Sequence, residues 1–213
     1  MRRLLDDDLL ARIHERAAGH DRDNTFPEED LAELRAAGYL AALVPERFGG
    51  AGLSLEQLTV EQTRLAASAP ATALAVNMHL VWTAVAKTLT DRGDASLDFV
   101  LEEAARGEVF GFGVSEAGND LVLFGSSTTA RPLPDGGYAY TGTKTFTSLS
   151  PVWTRLGTFG LDTTSDDAPR IVWGFLDRAA RGIEIVPDWD TLGQRATQSN
   201  TTHLDGVVVP ADR

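Results

Sequence analysis

The 213-residue sequence contains no cysteine, which removes disulfide scaffolds, thiolate metal sites and cysteine nucleophiles at once. Its four histidines are scattered along the chain, so a histidine-based metal site is not expected either. Positive charge is also scarce: 19 Lys and Arg stand against 31 Asp and Glu, a formal net charge of -12. Such a chain repels polyanions, and nucleic acid is excluded as an expected partner. No stretch reaches the roughly 18 apolar residues of a membrane-spanning helix. The opening MRRLLDDDLLARIHERAAG carries two arginines, but the acidic run Asp6 to Asp8 interrupts it, so it does not read as a signal peptide. A cytoplasmic protein is the expectation. Internal repeats, low-complexity linkers and the strand-helix alternation of a dinucleotide-binding fold are missing as well, which disfavours a Rossmann domain.

What is present suits a globular chain of one or two domains, with 43% hydrophobic residues available for a core. The first half has helical periodicity. Leu5, Leu9, Ile13 and Ala17 recur every four residues, placing an apolar stripe on one face and leaving acids and arginines to solvent. In TFPEEDLAELRAAG, Thr25 and Glu28 have capping-box spacing, Pro27 fits a first turn and Gly38 can close the end. Ser54 and Gln57 repeat that spacing ahead of Leu55, Leu58 and Leu65. Ala71 to Leu89 shows the clearest period, with Ala75, Met78, His79, Trp82, Val85, Ala86 and Leu89 at helical intervals. A fifth helix is predicted from about Asp94 to Ala105, with Gly107 at its end.

From Val109 the texture changes to short β-branched and aromatic runs separated by turn residues. VFGFGVS, STTARPL, YAYTGTKTFTS, RLGTFGLD, RIVWGFLD, IEIVPDW and THLDGVVVP all have strand length, and Pro134 to Gly137 marks a turn. The predicted class is α+β: an N-terminal α-helical domain over 1–108, then an antiparallel β-barrel or sandwich-like domain over 109–213.

Four segments carry a family resemblance. PERFGGAGLS at 45–54, GFGVSEAGNDL at 111–121, TGTKTFTSLS at 141–150 and LGQRATQSNTTHLDGVVVPADR at 192–213 resemble segments of acyl-CoA dehydrogenases. They come in the family's order and with roughly its spacing, over the whole chain. The resemblance implies the first two of the family's three domains. It implies FAD as cofactor, an acyl-CoA thioester and an electron-transfer acceptor as partners, and a homo-oligomer once a C-terminal helical domain is present. That domain would also supply the catalytic base, so no catalytic residue is assigned within this chain.

By the same resemblance, Phe112, Val114 and Ser115 would run beside the flavin, with Ser115 in the place of the family's usual threonine. Phe146, Thr147 and Ser148 would form the second flavin-contacting stretch. On the residues alone, the glycines of GFGVS would let backbone approach a planar ring closely, or serve only as turn formers. Strand alternation would put Lys144, Phe146 and Ser148 on one face and Thr145 and Thr147 on the other. Lys144 itself reads as structural or at the surface. The loop after Ser115 departs from the family pattern: Glu116-Ala117-Gly118-Asn119-Asp120 is about two residues shorter than the family's pattern. Asn119 stands where relatives have a serine that touches cofactor or thioester, and it is the candidate substrate contact. His79, on the apolar face of the strongest helix, reads as hydrogen-bonded packing, and Trp82 and Met78 as core or acyl-pocket lining. Three functions stay open: an acyl-CoA dehydrogenase, a flavin monooxygenase of the same fold, or a non-catalytic binding fragment.

Overall fold

The computed structural model describes residues 3–121, 123–164 and 169–213, so Arg2 of the opening segment lies outside the described residues. The chain divides into two compact units, one of Met1–Val109 with Asp190–Gln198 and one of Phe110–Trp189 with Ser199–Arg213. The class is α+β, helices first.

The helical unit holds α1 (Asp7–Asp23), α2 (Glu28–Ala36), α3 (Leu55–Ser68), α4 (Pro70–Asp91) and α5 (Asp98–Ala105). Asp6 caps α1 by accepting the Leu9 N–H, and Asn24 closes it in the left-handed region. Leu5 extends the apolar stripe from outside the helix. Its N–H donates to the buried Glu61 carboxylate at 3.0 Å, and its carbonyl accepts from Arg64 at 2.6 Å. The polar face of α1 is not wholly in solvent. Arg16 donates at 2.7 Å to Asp30, a fully buried acid in the first turn of α2 that also accepts from the Thr72 hydroxyl at 3.1 Å. Burial pushes the Asp30 carboxyl up, and Arg16 and Thr72 offset only part of that rise.

The capping box expected at Thr25 and Glu28 does not form. Thr25 follows the turn that ends α1, where its N–H bonds the His20 carbonyl and its hydroxyl pairs with His20 Nδ1. Pro27 takes the cap position of α2 without a side-chain bond. The second expected box does form: Gln57 N–H donates to Ser54 Oγ at 3.2 Å, and Ser54 N–H to Gln57 Oε1 at 2.8 Å. Helix α5 begins at Asp98 rather than near Asp94, because the Asp94 carboxylate accepts the Ser96 N–H and holds a turn there.

Residues 190–198, grouped with the β half by sequence texture, join the helical unit. Arg195 Nε donates to the Asp21 carbonyl at 2.8 Å, and Gln198 Nε2 to the Asn24 carbonyl at 2.9 Å, both at the end of α1.

The β unit contains β1 (Phe110–Gly113), β2 (Thr129–Pro132), β3 (Tyr138–Thr147), β4 (Arg155–Asp162), β5 (Arg170–Asp177), β6 (Ile183–Val186) and β7 (Asn200–Val209), in one curled sheet. It is mixed rather than purely antiparallel. β1 runs parallel to the first half of β4, and β2 meets the far end of the same edge through Thr129 and Leu161, also parallel. The β2–β3 hairpin lies between β1 and β4 in sequence, giving a connection long enough to return in the same direction. The remaining pairs, β2–β3, β3–β7, β4–β5 and β6–β7, are antiparallel. Trp153, Tyr140, Phe110 and Phe159 fill the interior, with Phe110 edge-on to Phe175 at 5.8 Å.

Among the described residues, no helix is long and apolar enough to cross a membrane, and no group of His, Asp and Glu is placed to hold a metal ion.

His79 lies wholly inside the helical unit, its Nε2 at 2.8 Å from the Leu40 carbonyl. This is the packing role read from the sequence. Burial pushes the imidazole down to about 4 from an ordinary 6.5, so it is neutral in the fold. The unfolded chain takes up a proton between those values that the folded chain refuses, so stability falls as pH drops through that window. The loss should reach about 3 kcal/mol in all. Urea unfolding at pH 7.5 and pH 5 should show the decline, and His79→Gln should flatten it.

Candidate functional site

Both nominated stretches lie in the β unit, and the fold brings them together. β1 continues past Gly113 through Val114 to Ser115, which forms an isolated antiparallel bridge with Thr145. The Thr145 N–H donates to the Ser115 carbonyl at 2.9 Å. Phe112, Val114 and Ser115 are thus carried to the end of β3, where Phe146, Thr147 and Ser148 follow. Phe112 and Val114 are half-buried and Ser115 is exposed.

The glycines of this segment are explained by packing. A Cβ on Gly111 would stand 3.1 Å from both Trp153 and Leu156, and one on Gly113 at 3.0 Å from Leu156. Their open side faces the core of the β unit, so close approach to a ring is not what they provide.

The alternation expected for β3 fails at its end. The register with β7 shifts between Lys144 and Thr147, and Phe146 adopts a left-handed backbone with φ 57°. The extra residue turns Phe146 outward, 62% exposed, and sends Thr147 inward beside Asn200 of β7. Phe146 therefore does not share a face with Lys144. It stands edge-on to Trp189, ring centroids 6.0 Å apart. Thr147 is fully buried, and its Oγ1 has no hydrogen-bond partner among the described residues. Ser148 is buried and shares a hydrogen bond with Ser199 at 2.8 Å.

Lys144 is not at the surface. Its side chain is completely buried, with Nζ 2.6 Å from Glu116 Oε1 and 2.8 Å from the Phe159 carbonyl, over the Phe159 ring. Glu116 also accepts from Ser126 Oγ at 2.6 Å, Asn119 Nδ2 at 2.9 Å, and the N–H groups of Ser127 and Thr128 at 2.7 and 3.0 Å. Burial pushes this carboxyl up, but Lys144 and the other donors overcome it and hold it well below the usual carboxylate range. Burial lowers Lys144, and Glu116 counters part of that effect.

Asn119 spends its polar groups inside the loop. Nδ2 donates to Glu116 and, at 2.8 Å, to the Gly125 carbonyl, while Oδ1 accepts the Leu121 N–H at 3.0 Å. Sequence reasoning missed this pair and the neighbours Trp189 and Ser199. An acid directly after Ser115 and a lone lysine in a threonine-rich strand were the only signals of the pair.

The acyl-CoA dehydrogenase N-terminal domain family matches residues 1–108, just over half of the chain. The chain belongs to the acyl-CoA dehydrogenase family. Over 209 residues it is 28% identical to a putative acyl-CoA dehydrogenase, YdbM, of Bacillus subtilis (strain 168), covering 96% of this chain and 53% of that protein. It is 30% identical over 217 residues to L-evernosamine nitrososynthase of Micromonospora sp., covering 96% and 50%. Among solved structures, KijD3 in complex with FMN and a dTDP-linked amino-keto sugar superposes with a TM-score of 0.85 at 30% identity, covering 96% of this chain and 50% of that one. FMN-bound TdsC from Paenibacillus sp. A11-2 gives 0.85 at 27% identity, covering 97% and 51%. The chain spans about half the length of these relatives.

The ion pair makes an asymmetric prediction for stability. Glu116→Ala strands a buried ammonium and should cost about 3–5 kcal/mol. Lys144→Met leaves Glu116 with its other donors and should cost less, about 1–3 kcal/mol. Because the folded carboxyl lies below its ordinary 4.5, its stabilisation is complete above that pH and is withdrawn as pH falls beneath it. Urea titrations of both variants at neutral pH, and an acid titration of the wild type, test the ordering and the sign.

Proposed function

We propose that this chain is the flavin-holding part of a flavin-dependent oxidoreductase and that the flavin lies against Phe112, Val114 and Ser115 on one side of the Ser115–Thr145 bridge and Phe146, Thr147 and Ser148 on the other. The observation that carries this reading is the bridge itself, which joins two stretches about thirty residues apart and leaves a strained aromatic exposed beside an orphaned buried hydroxyl. The residues suit a flavin. Phe146 and Trp189 offer apolar area to shield a ring from water. Ser148, fixed by Ser199, adds a hydroxyl held in place. When bound, the flavin would supply electron transfer and, in an oxygenase, the activation of dioxygen.

The oxygenase branch is the reading we favour, with FMN, the flavin held by KijD3 and TdsC, as cofactor. Dehydrogenation of a thioester needs a carboxylate poised to accept an α proton. Of the two acids in the nominated loop, Glu116 is held ionised and occupied by five donors, and Asp120 is exposed to solvent. Asn119, closed on its own loop, shapes that loop in this reading rather than gripping substrate. The likeness to YdbM supports acyl-CoA dehydrogenation, with FAD, as the second reading, and its base would have to come from residues other than these.

Titration of the chain with FMN and with FAD, followed by the visible flavin band, tests both. Binding should be saturable, tighter for FMN, and weakened about tenfold by Phe146→Ala. Absence of binding for either flavin would remove the proposal, and bleaching by a short acyl-CoA would favour the dehydrogenase.

A further inference from the structure

Phe146 combines features that do not normally persist together: a bulky residue, a left-handed backbone, and a ring 62% exposed at a break in strand register. Such a conformation is costly and survives only where its surroundings hold it. The ring's contact with Trp189 holds the side chain, not the backbone. The backbone on the N-terminal side is held two residues earlier, where Lys144 is anchored to Glu116 at 2.6 Å and to the Phe159 carbonyl at 2.8 Å. Glu116 in turn follows Ser115, whose carbonyl accepts the Thr145 N–H. An ionic tie and a backbone tie therefore clamp the two stretches together immediately before the register break.

We propose that Glu116 and Lys144 are positioning residues for the flavin site: their pair holds β3 in its broken register, so that Phe146 stays turned outward beside Trp189 while Thr147 points inward. The inference rests on the flavin reading above. Without the tie, β3 is released toward regular alternation. A period of two would return residue 146 to the face of Lys144 and carry its ring away from Trp189.

A pair that served stability alone would be replaceable, because exchanging a whole buried ion pair for neutral residues of similar volume is often neutral or stabilising. The double variant Glu116→Gln/Lys144→Met separates the two roles, since the amide oxygen of a glutamine keeps an acceptor for Ser126 and Thr128, which share one carboxylate oxygen. The chain labelled with fluorotryptophan reports the surroundings of Trp189 by fluorine NMR, with the resonance assigned from Trp189→Phe. The expected result is a melting temperature close to wild type, a displaced Trp189 resonance without flavin, and FMN affinity lowered about tenfold. An unmoved resonance with wild-type FMN affinity in the folded double variant would overturn the inference. If the wild type binds no FMN, the flavin reading fails. The Trp189 resonance alone then decides whether the pair sets the register, displacement supporting it and constancy overturning it. Should the double variant not fold, Lys144→Met alone, the milder of the single changes, removes the ionic tie and is judged by the same resonance.

Discussion

The β unit depends on one interaction, the buried contact between Glu116 and Lys144. Moving two charges out of water carries a penalty of several kcal/mol per ion, and mutual attraction repays it only where the remaining hydrogen-bond groups are also satisfied. Here that condition is met on the acidic side by Ser126, Ser127, Thr128 and Asn119, and on the basic side by the Phe159 carbonyl and ring. Those donors lie on the loop that follows β1, and the cation lies on β3. The pair thus closes an irregular segment onto β3, beside the isolated Ser115–Thr145 bridge.

The helical unit uses the same chemistry for the same purpose. Glu61 on α3 receives the Leu5 N–H and an Arg64 contact, tying the segment before α1 to a neighbouring helix. Asp30 binds Arg16 and Thr72, joining the start of α2 to α1 and α4. In each case a buried carboxylate collects donors from elements distant in sequence, at a point where a helix end or a loop has groups still to be satisfied. An acidic chain with few cations therefore places some of its acids where they organise structure, not only where they face solvent.

Membership in the acyl-CoA dehydrogenase family leaves the chemistry open, because the same fold is shared by relatives named as dehydrogenases, nitrososynthases and monooxygenases. Fold and function part company at the site. The features that bear on chemistry here are local: a short loop closed by Asn119, an outward Phe146, and hydroxyls at Thr147 and Ser148.

Local chemistry was legible in the sequence. The capping pair Ser54 and Gln57, the apolar stripe through Leu9 and Ile13, and the seven strand-length runs depend on neighbours a few residues apart, and each took the form its spacing implied. The order of four motifs was enough to place the chain in its family. What the sequence could not decide was which groups meet across distance. Thr25 was drawn into the end of α1 instead of capping α2, β1 and β2 came to share one edge of β4 in parallel, and residues 190–198 joined the helices. Strand alternation assumes a continuous ladder, and it fails where a register shift inserts one residue between Lys144 and Thr147. The direction of Phe146 and the burial of Lys144 were therefore tertiary decisions, made by an acid twenty-eight positions away that no local period reveals.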